Sequence, residues 1–175
     1  MTSSPLAVAA VSLLAVLLIM LGESRVSRRN EQDLRQRGAV EPPDDVYSTM
    51  RWAYPAAFFA MAAEGAALGP PAAPAMLAGA VLLVAAKALK WWAMASLGAR
   101  WTFRVLIVPG APLVTAGPYA VVRHPNYVAV VGELVSMALI VGASATGPIS
   151  VLLFGLLLRR RIGVEDRALR QRART

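Results

Sequence analysis

An all-α integral membrane protein of about five transmembrane helices, the last two forming a short hairpin, is the fold class this sequence predicts. Three observations lead there. Of its 175 residues, 57% are hydrophobic and 16% charged, whereas a soluble domain carries about 25% charged residues; the mean hydropathy is +0.55. Apolar runs occupy Pro5–Gly22, Trp52–Leu68, Ala73–Leu97, Val128–Ala143 and Pro148–Leu158. The first three approach the ~20 residues that cross a bilayer; the last two are shorter, as in a tight, tilted hairpin. Finally, with five crossings all 18 Lys and Arg residues fall on one side, while the opposite connections "GPPAAP" and "ASATGP" carry no charge. An even number of crossings would split them. The positive-inside rule then makes the basic side cytoplasmic and leaves the N-terminus outside, in the cell membrane.

This placement explains the net charge of +8 as a topology signal, so no nucleic-acid partner is expected. The chain has no cysteine and one histidine. Disulfides and thiolate chemistry are excluded, and a conventional zinc site lacks its ligands. The whole is one membrane domain. Residues 1–97 hold three helices and a basic cytoplasmic loop, and 98–175 hold the polar motifs.

The first run has no basic leader and "LGESR" is a poor cleavage site, so it reads as a retained helix. The charged stretch after it continues as a surface helix to Arg37, stopped by Gly38 and the double proline beyond. The tail "GAVEPPDD" can fold back beneath the bundle, with Glu41 a candidate contributor to a site. Glu64, four residues before the end of the second run, is placed to reach the outer interface. Lys87 and Lys90 are expected to snorkel to the cytoplasmic side, and Trp91, Trp92 and Trp101 suit the interfacial band. Residues 98–120 contain Pro, Gly and two arginines. They cannot lie as irregular backbone in lipid, and the alternation in "RVLIV" with turns at Pro109–Gly110 and Gly117–Pro118 predicts a short hairpin.

Chemistry concentrates in "GPYAVVRHPNYVAVVGE", residues 117–133. Pro125 biases His124 away from helix and suits the first turn of the fourth helix. Asn126, Tyr127 and free backbone amides then gather at a helix N-terminus, which favours an anionic ligand group. Tyr127 and Glu133 lie roughly 120° apart around that helix, so both can border one cavity. Glu133 is too deep to face lipid and needs a cation or hydrogen-bond donors. A second set, "RRRIGVEDRAL", puts Arg161 and Glu165 one turn apart with Asp166 beside them. On spacing alone, the favoured reading is a positive-inside stop followed by a surface ion pair.

"GPYAVVRHPNY", then Glu133, an apolar hairpin and "RRRIGVED" resemble the carboxy-terminal half of the isoprenylcysteine carboxyl methyltransferase family, integral-membrane S-adenosylmethionine-dependent enzymes related here to phospholipid methyltransferases. The resemblance covers about residues 97–169. It implies that Tyr119, Arg123, His124, Pro125, Tyr127 and Glu133 bind the cofactor, and that Arg161, Glu165 and Asp166 are catalytic. It also implies a cytoplasmic pocket built from helix termini, and no GxGxxG occurs anywhere in the chain. Two departures stand out. The usual Glu-Glu is Glu-Asp, and the tail "ALRQRART" lacks the aromatic, glycine-bearing extension of many members. Membrane sterol reductases share Arg-His-Pro-Asn-Tyr and bind NADPH, but generally continue into Gly and an acidic residue. Here Val128-Ala129 follow, with Gly-Pro-Tyr upstream.

The implied reaction is O-methylation of a lipophilic acceptor, either a prenylated cysteine carboxylate or a small lipid-like acid or phenol. A carboxylate needs only a cation such as Arg161 to orient it, whereas a phenol or enol needs a base, for which Glu165 and Asp166 are candidates. Membrane lipid is the expected surrounding partner. No sequence feature sets an oligomeric state.

Overall fold

The computed structural model describes residues 4–172, and side chains up to residue 170. Five α-helices account for most of them: α1 Pro5–Gln36, α2 Tyr47–Leu68, α3 Ala73–Leu97, α4 Pro125–Val141 and α5 Thr146–Arg172. Short 3₁₀ turns lie at Gly98–Arg100 and Gly117–Ala120. Two helices, Pro5–Gln36 and Ala73–Arg100, are long and apolar enough to cross a membrane, and Pro125–Val141 is a shorter apolar helix. Leu14, Leu18, Val81, Val84 and Leu152 are all more than half exposed. An outer surface this apolar fits a lipid surround better than water.

α1 starts on Ser4, whose hydroxyl accepts from the Ala7 amide at 3.2 Å, with Pro5 in the first turn. It then runs unbroken through the apolar and charged halves for 32 residues, about 48 Å at 1.5 Å per residue. The charged half contains no proline and is rich in Arg, Gln and Glu, which propagate a helix once the apolar half has nucleated it. Gly38, at φ 78°, ends it.

α4 is the central helix and packs against all four others. Its core partners include Phe58 and Met61 from α2 and Phe154 and Leu158 from α5 around Leu134 and Met137. The approach of α3 is permitted by Gly79: a Cβ there would sit 2.9 Å from Leu139 Cβ and from Ile140 Cγ1. The α4–α5 hairpin turns through Gly142 in the left-handed region. Glu64 of α2 receives the amides of Ala145 and Thr146 at 2.9 and 2.7 Å. A carboxylate that the sequence sends to the interface thus also caps the positive end of α5.

Lys87 and Lys90 do not snorkel. Both are buried and point inward, where Lys87 bridges Glu23 at 3.0 Å and Glu133 at 2.7 Å, and Lys90 reaches Glu23 at 2.6 Å and Glu133 at 3.2 Å. The Tyr54 hydroxyl donates to Glu133 at 2.8 Å. Two ammoniums and two carboxylates at one depth satisfy each other better than long side chains stretched toward a distant interface. The cluster ties α1, α2, α3 and α4 together.

The hairpin expected in "RVLIV" does not form; no strand occurs among the described residues. Instead Ile107 makes an isolated antiparallel bridge with Val40, with N···O distances of 2.9 and 3.0 Å. The "GAVEPPDD" segment has folded back and taken the backbone partners that a local hairpin would have used. Glu41 fastens it, accepting from Arg104 and Arg35, each at 2.5 Å. Burial pushes the Glu41 carboxyl up, but these two guanidiniums outweigh it and hold it below its ordinary value. Trp101, expected at the interface, is instead buried, its indole 3.4 Å from the Asn126 side-chain oxygen.

Candidate active site

One cavity of about 1040 Å³ opens between the C-terminal half of α1, the start of α2, residues 97–115, and the facing ends of α4 and α5. Its two regions differ in chemistry. Toward the bundle interior it is walled by Leu17 and Met20 of α1, Pro55 of α2, Val130 of α4, and Phe154 and Leu158 of α5. Toward the basic end it is walled by Tyr119, Arg123, His124, Asn126, Tyr127, Arg161, Glu165 and Asp166. Both halves of the chain contribute.

The polar wall follows from local structure. His124 precedes Pro125 and takes φ −129°, ψ 62°, outside the helical region, which turns its ring toward the end of α5. The imidazole stacks on Tyr127 at 5.4 Å between centroids and 17° between planes. Its Nδ1 lies 3.6 Å from Glu165 Oε2 and its Nε2 3.5 Å from Asp166 Oδ1. Tyr127 donates its hydroxyl proton to Glu165 Oε2 at 2.7 Å. Arg123, largely exposed at the rim, lies 3.9 Å from Asp166. Tyr119 is packed beside them; burial, and then the charge of Glu165, raise its phenol well above the ordinary value, so it remains a proton donor at neutral pH.

Arg161 and Glu165 are one turn apart, yet they form no ion pair with each other among the described residues. The buried guanidinium is committed elsewhere. Nε donates to the Tyr127 hydroxyl at 3.2 Å, Nη1 to Asp45 at 2.5 Å, and Nη2 to the carbonyl of Phe103. Pro125 is buried as the first residue of α4. Glu133 is also buried, below the cavity wall in the Lys87–Lys90 cluster, and only Lys90 and Tyr54 of that cluster reach the lining. Glu41 sits behind the wall with Arg104.

Sequence reasoning did not find Asp45, Tyr47, Ser27 or Phe103. Asp45 lies just before α2, accepts from the Tyr47 and Val105 amides at 3.1 and 3.0 Å, and pairs with Arg161. The Ser27 hydroxyl on α1 accepts from the Phe103 amide at 2.8 Å. An acid beside a helix start is a capping signal, but nothing local to either residue names its distant partner.

The sequence model described as "Isoprenylcysteine carboxyl methyltransferase (ICMT) family" matches residues 79–171, a little over half of the chain. The chain belongs to the isoprenylcysteine carboxyl methyltransferase family. Two relatives align along nearly the whole length. "Uncharacterized protein YpbQ" of Bacillus subtilis is 32% identical over 160 residues, covering 91% of this chain and 95% of that protein. An "Uncharacterized protein" of Haemophilus influenzae is 24% identical over 160 residues, covering 91% and 93%. No solved structure matches. The family match spans His124, Tyr127, Arg161 and the acidic pair, whereas Asp45, Tyr47 and the α1 wall lie upstream of it. Members of the isoprenylcysteine carboxyl methyltransferase family use S-adenosylmethionine, and membership supports a membrane methyltransferase.

Proposed function

We propose that this protein is an S-adenosylmethionine-dependent O-methyltransferase that modifies a lipophilic acceptor at the membrane. In this reading the chain crosses the cell membrane five times, with its N-terminus outside and its cavity facing the cytoplasm. The observation that supports it is the two-part cavity, in which the motif residues meet at one end and an apolar arm extends from the other.

The donor set suits a zwitterionic cofactor. Glu165 and Asp166 offer acceptors for an ammonium or ribose hydroxyls. Arg123 and the Asn126 amide offer donors for a carboxylate, since Pro125 has no N–H and the Tyr127 and Val128 amides already donate to the His124 carbonyl, and the phenols of Tyr119 and Tyr127 close the wall. When bound, S-adenosylmethionine supplies an activated methyl group. The protein's part is placement: the apolar arm takes the tail of the acceptor so that its oxygen is held at the polar end, and orientation of this kind supplies much of the rate. For a carboxylate acceptor, no proton moves. For a phenol or enol, Glu165 or Asp166 takes the hydroxyl proton and the cytoplasmic mouth returns it to water.

The test is calorimetry on detergent-solubilised protein, followed by a screen with methyl-labelled cofactor. S-adenosylhomocysteine should bind and NADPH should not. NADPH binding alone would move the protein to lipid reduction, and binding of neither would leave it a headgroup-binding membrane protein. The screen pairs prenylcysteine, alkylphenol and phosphatidylethanolamine acceptors with Glu165→Gln. A loss of about 10²–10⁴-fold with the phenol, relieved at high pH, identifies a hydroxyl acceptor; a mild loss with prenylcysteine identifies carboxyl methylation.

A further inference from the structure

A guanidinium and a carboxylate four residues apart on one helix are within reach of each other, even in the weaker order with the cation first, and here that pair is absent. The partner that displaces it comes from 116 residues upstream. Asp45 holds Nη1 of Arg161 at 2.5 Å, and its side chain is only 3% exposed. The carbonyl of Phe103 takes Nη2, and the Tyr127 hydroxyl takes Nε at 3.2 Å. A guanidinium only donates, so the Tyr127 oxygen is the acceptor in that contact and its single proton points elsewhere. It points to Glu165 Oε2, 2.7 Å away.

From this geometry we infer that Asp45 is a positioning residue for the active site: it draws Arg161 away from Glu165, so that the acidic pair stays open to a cationic or hydroxyl-bearing ligand group. Without Asp45, the guanidinium has a carboxylate one turn away on its own helix and closes on it. Glu165 is then neutralised by its own neighbour, and the proton of Tyr127 loses its orientation. Asp45 also fixes the wall opposite, since its other contacts are the amides of Tyr47 and Val105. The inference rests on the methyltransferase reading only through the probe used to test it.

Charge is the variable to change. Asp45→Asn retains an oxygen for the Tyr47 or Val105 amide but releases Arg161. It should weaken S-adenosylhomocysteine binding at least tenfold by calorimetry, whereas Asp45→Glu should remain within about threefold of wild type. The decisive variant is Asp45→Asn combined with Arg161→Met, in which neither a buried uncompensated charge nor a competing cation remains. That double variant should bind more tightly than Asp45→Asn alone, because the competing cation is gone, but more weakly than wild type, because the Nε contact to Tyr127 is lost with it. If Asp45 were only a cap for α2 and the 101–108 segment, the double variant would bind as poorly as the single one. The inference is overturned by that result, or by wild-type affinity in a folded Asp45→Asn protein. If Asp45→Asn does not fold, the double variant is compared with Arg161→Met alone, and weaker binding by the double variant overturns the inference. Failure of wild-type protein to bind S-adenosylhomocysteine would instead remove the methyltransferase reading, a separate outcome.

Discussion

Two groups of acids and bases lie within this bundle, built from similar residue types and put to opposite uses. In the Glu23–Lys87–Lys90–Glu133 cluster, each carboxylate faces two ammoniums and every member is under 10% exposed. At the mouth, His124, Glu165 and Asp166 are between 18% and 31% exposed; the exposed Arg123 only reaches Asp166 at 3.9 Å, and the buried Arg161 pairs with Asp45 instead. The first group is closed in charge: two carboxylates face two ammoniums of the protein, although Lys90 and Tyr54 reach the cavity lining and Glu133 Oε1 accepts no hydrogen bond. The second is left short of cationic partners beside a large cavity. A buried ionisable residue in a membrane protein is a functional candidate by default. What separates glue from site is whether the protein has already answered the charge.

The largest effect should come from opening the closed group. Lys87→Met leaves two buried carboxylates sharing one ammonium, and breaking such a pair costs about 3–5 kcal/mol. The expected result is loss of the cooperative melt in detergent, with partial recovery when Glu133→Gln is added to restore the balance. An unchanged melt for Lys87→Met would show that water reaches the cluster. The open group should respond in the other way. Glu165→Gln and His124→Ala should each melt close to wild type yet bind S-adenosylhomocysteine about ten- to a hundredfold more weakly, the effect of losing a hydrogen bond to a charged group. Equal losses of stability and binding would erase the distinction between the two groups.

The smallest effect concerns Glu41, at the basic end of the bundle. Its folded value lies below the unfolded one, so its ion pairs contribute stability above the ordinary carboxylate value and lose it as pH falls through the folded value. Half-exposed pairs of this kind contribute about 0.2–1 kcal/mol. The melting temperature of wild type should therefore fall slightly more than that of Glu41→Gln between about pH 5 and 3. Parallel curves would mean that Arg35 and Arg104 find other partners.

The helices were legible because their signals are local. Ala73–Leu97 was read to the residue, and Pro125 marked the start of α4 through its fixed φ and missing amide. The motif residues at 119–127 and 161–166 were legible through their resemblance, and the cavity brings most of them together. The partners of long side chains were not. Lys87 and Lys90 read as snorkelling because only their distance to the interface can be counted in sequence, while Glu23 lies 64 residues from Lys87. Alternation in "RVLIV" points to a local hairpin, and the partner that actually answers Ile107 is a single residue, Val40, in another loop. Asp45 was hidden for the same reason: its role depends on an arginine on the last helix.

α1 is one unbroken helix whose apolar end is long and apolar enough to cross a membrane and whose charged end, through Ser27 and Asn30, hydrogen-bonds to Phe103 and Trp101 in the cavity wall. Its tilt is set by its packing against α2 and α4. An unbroken helix turns a change of tilt at one end into a displacement at the other. Any change in how α1 packs on α2 therefore reaches the cavity wall at Phe103 and Trp101, far along the same helix from its apolar end.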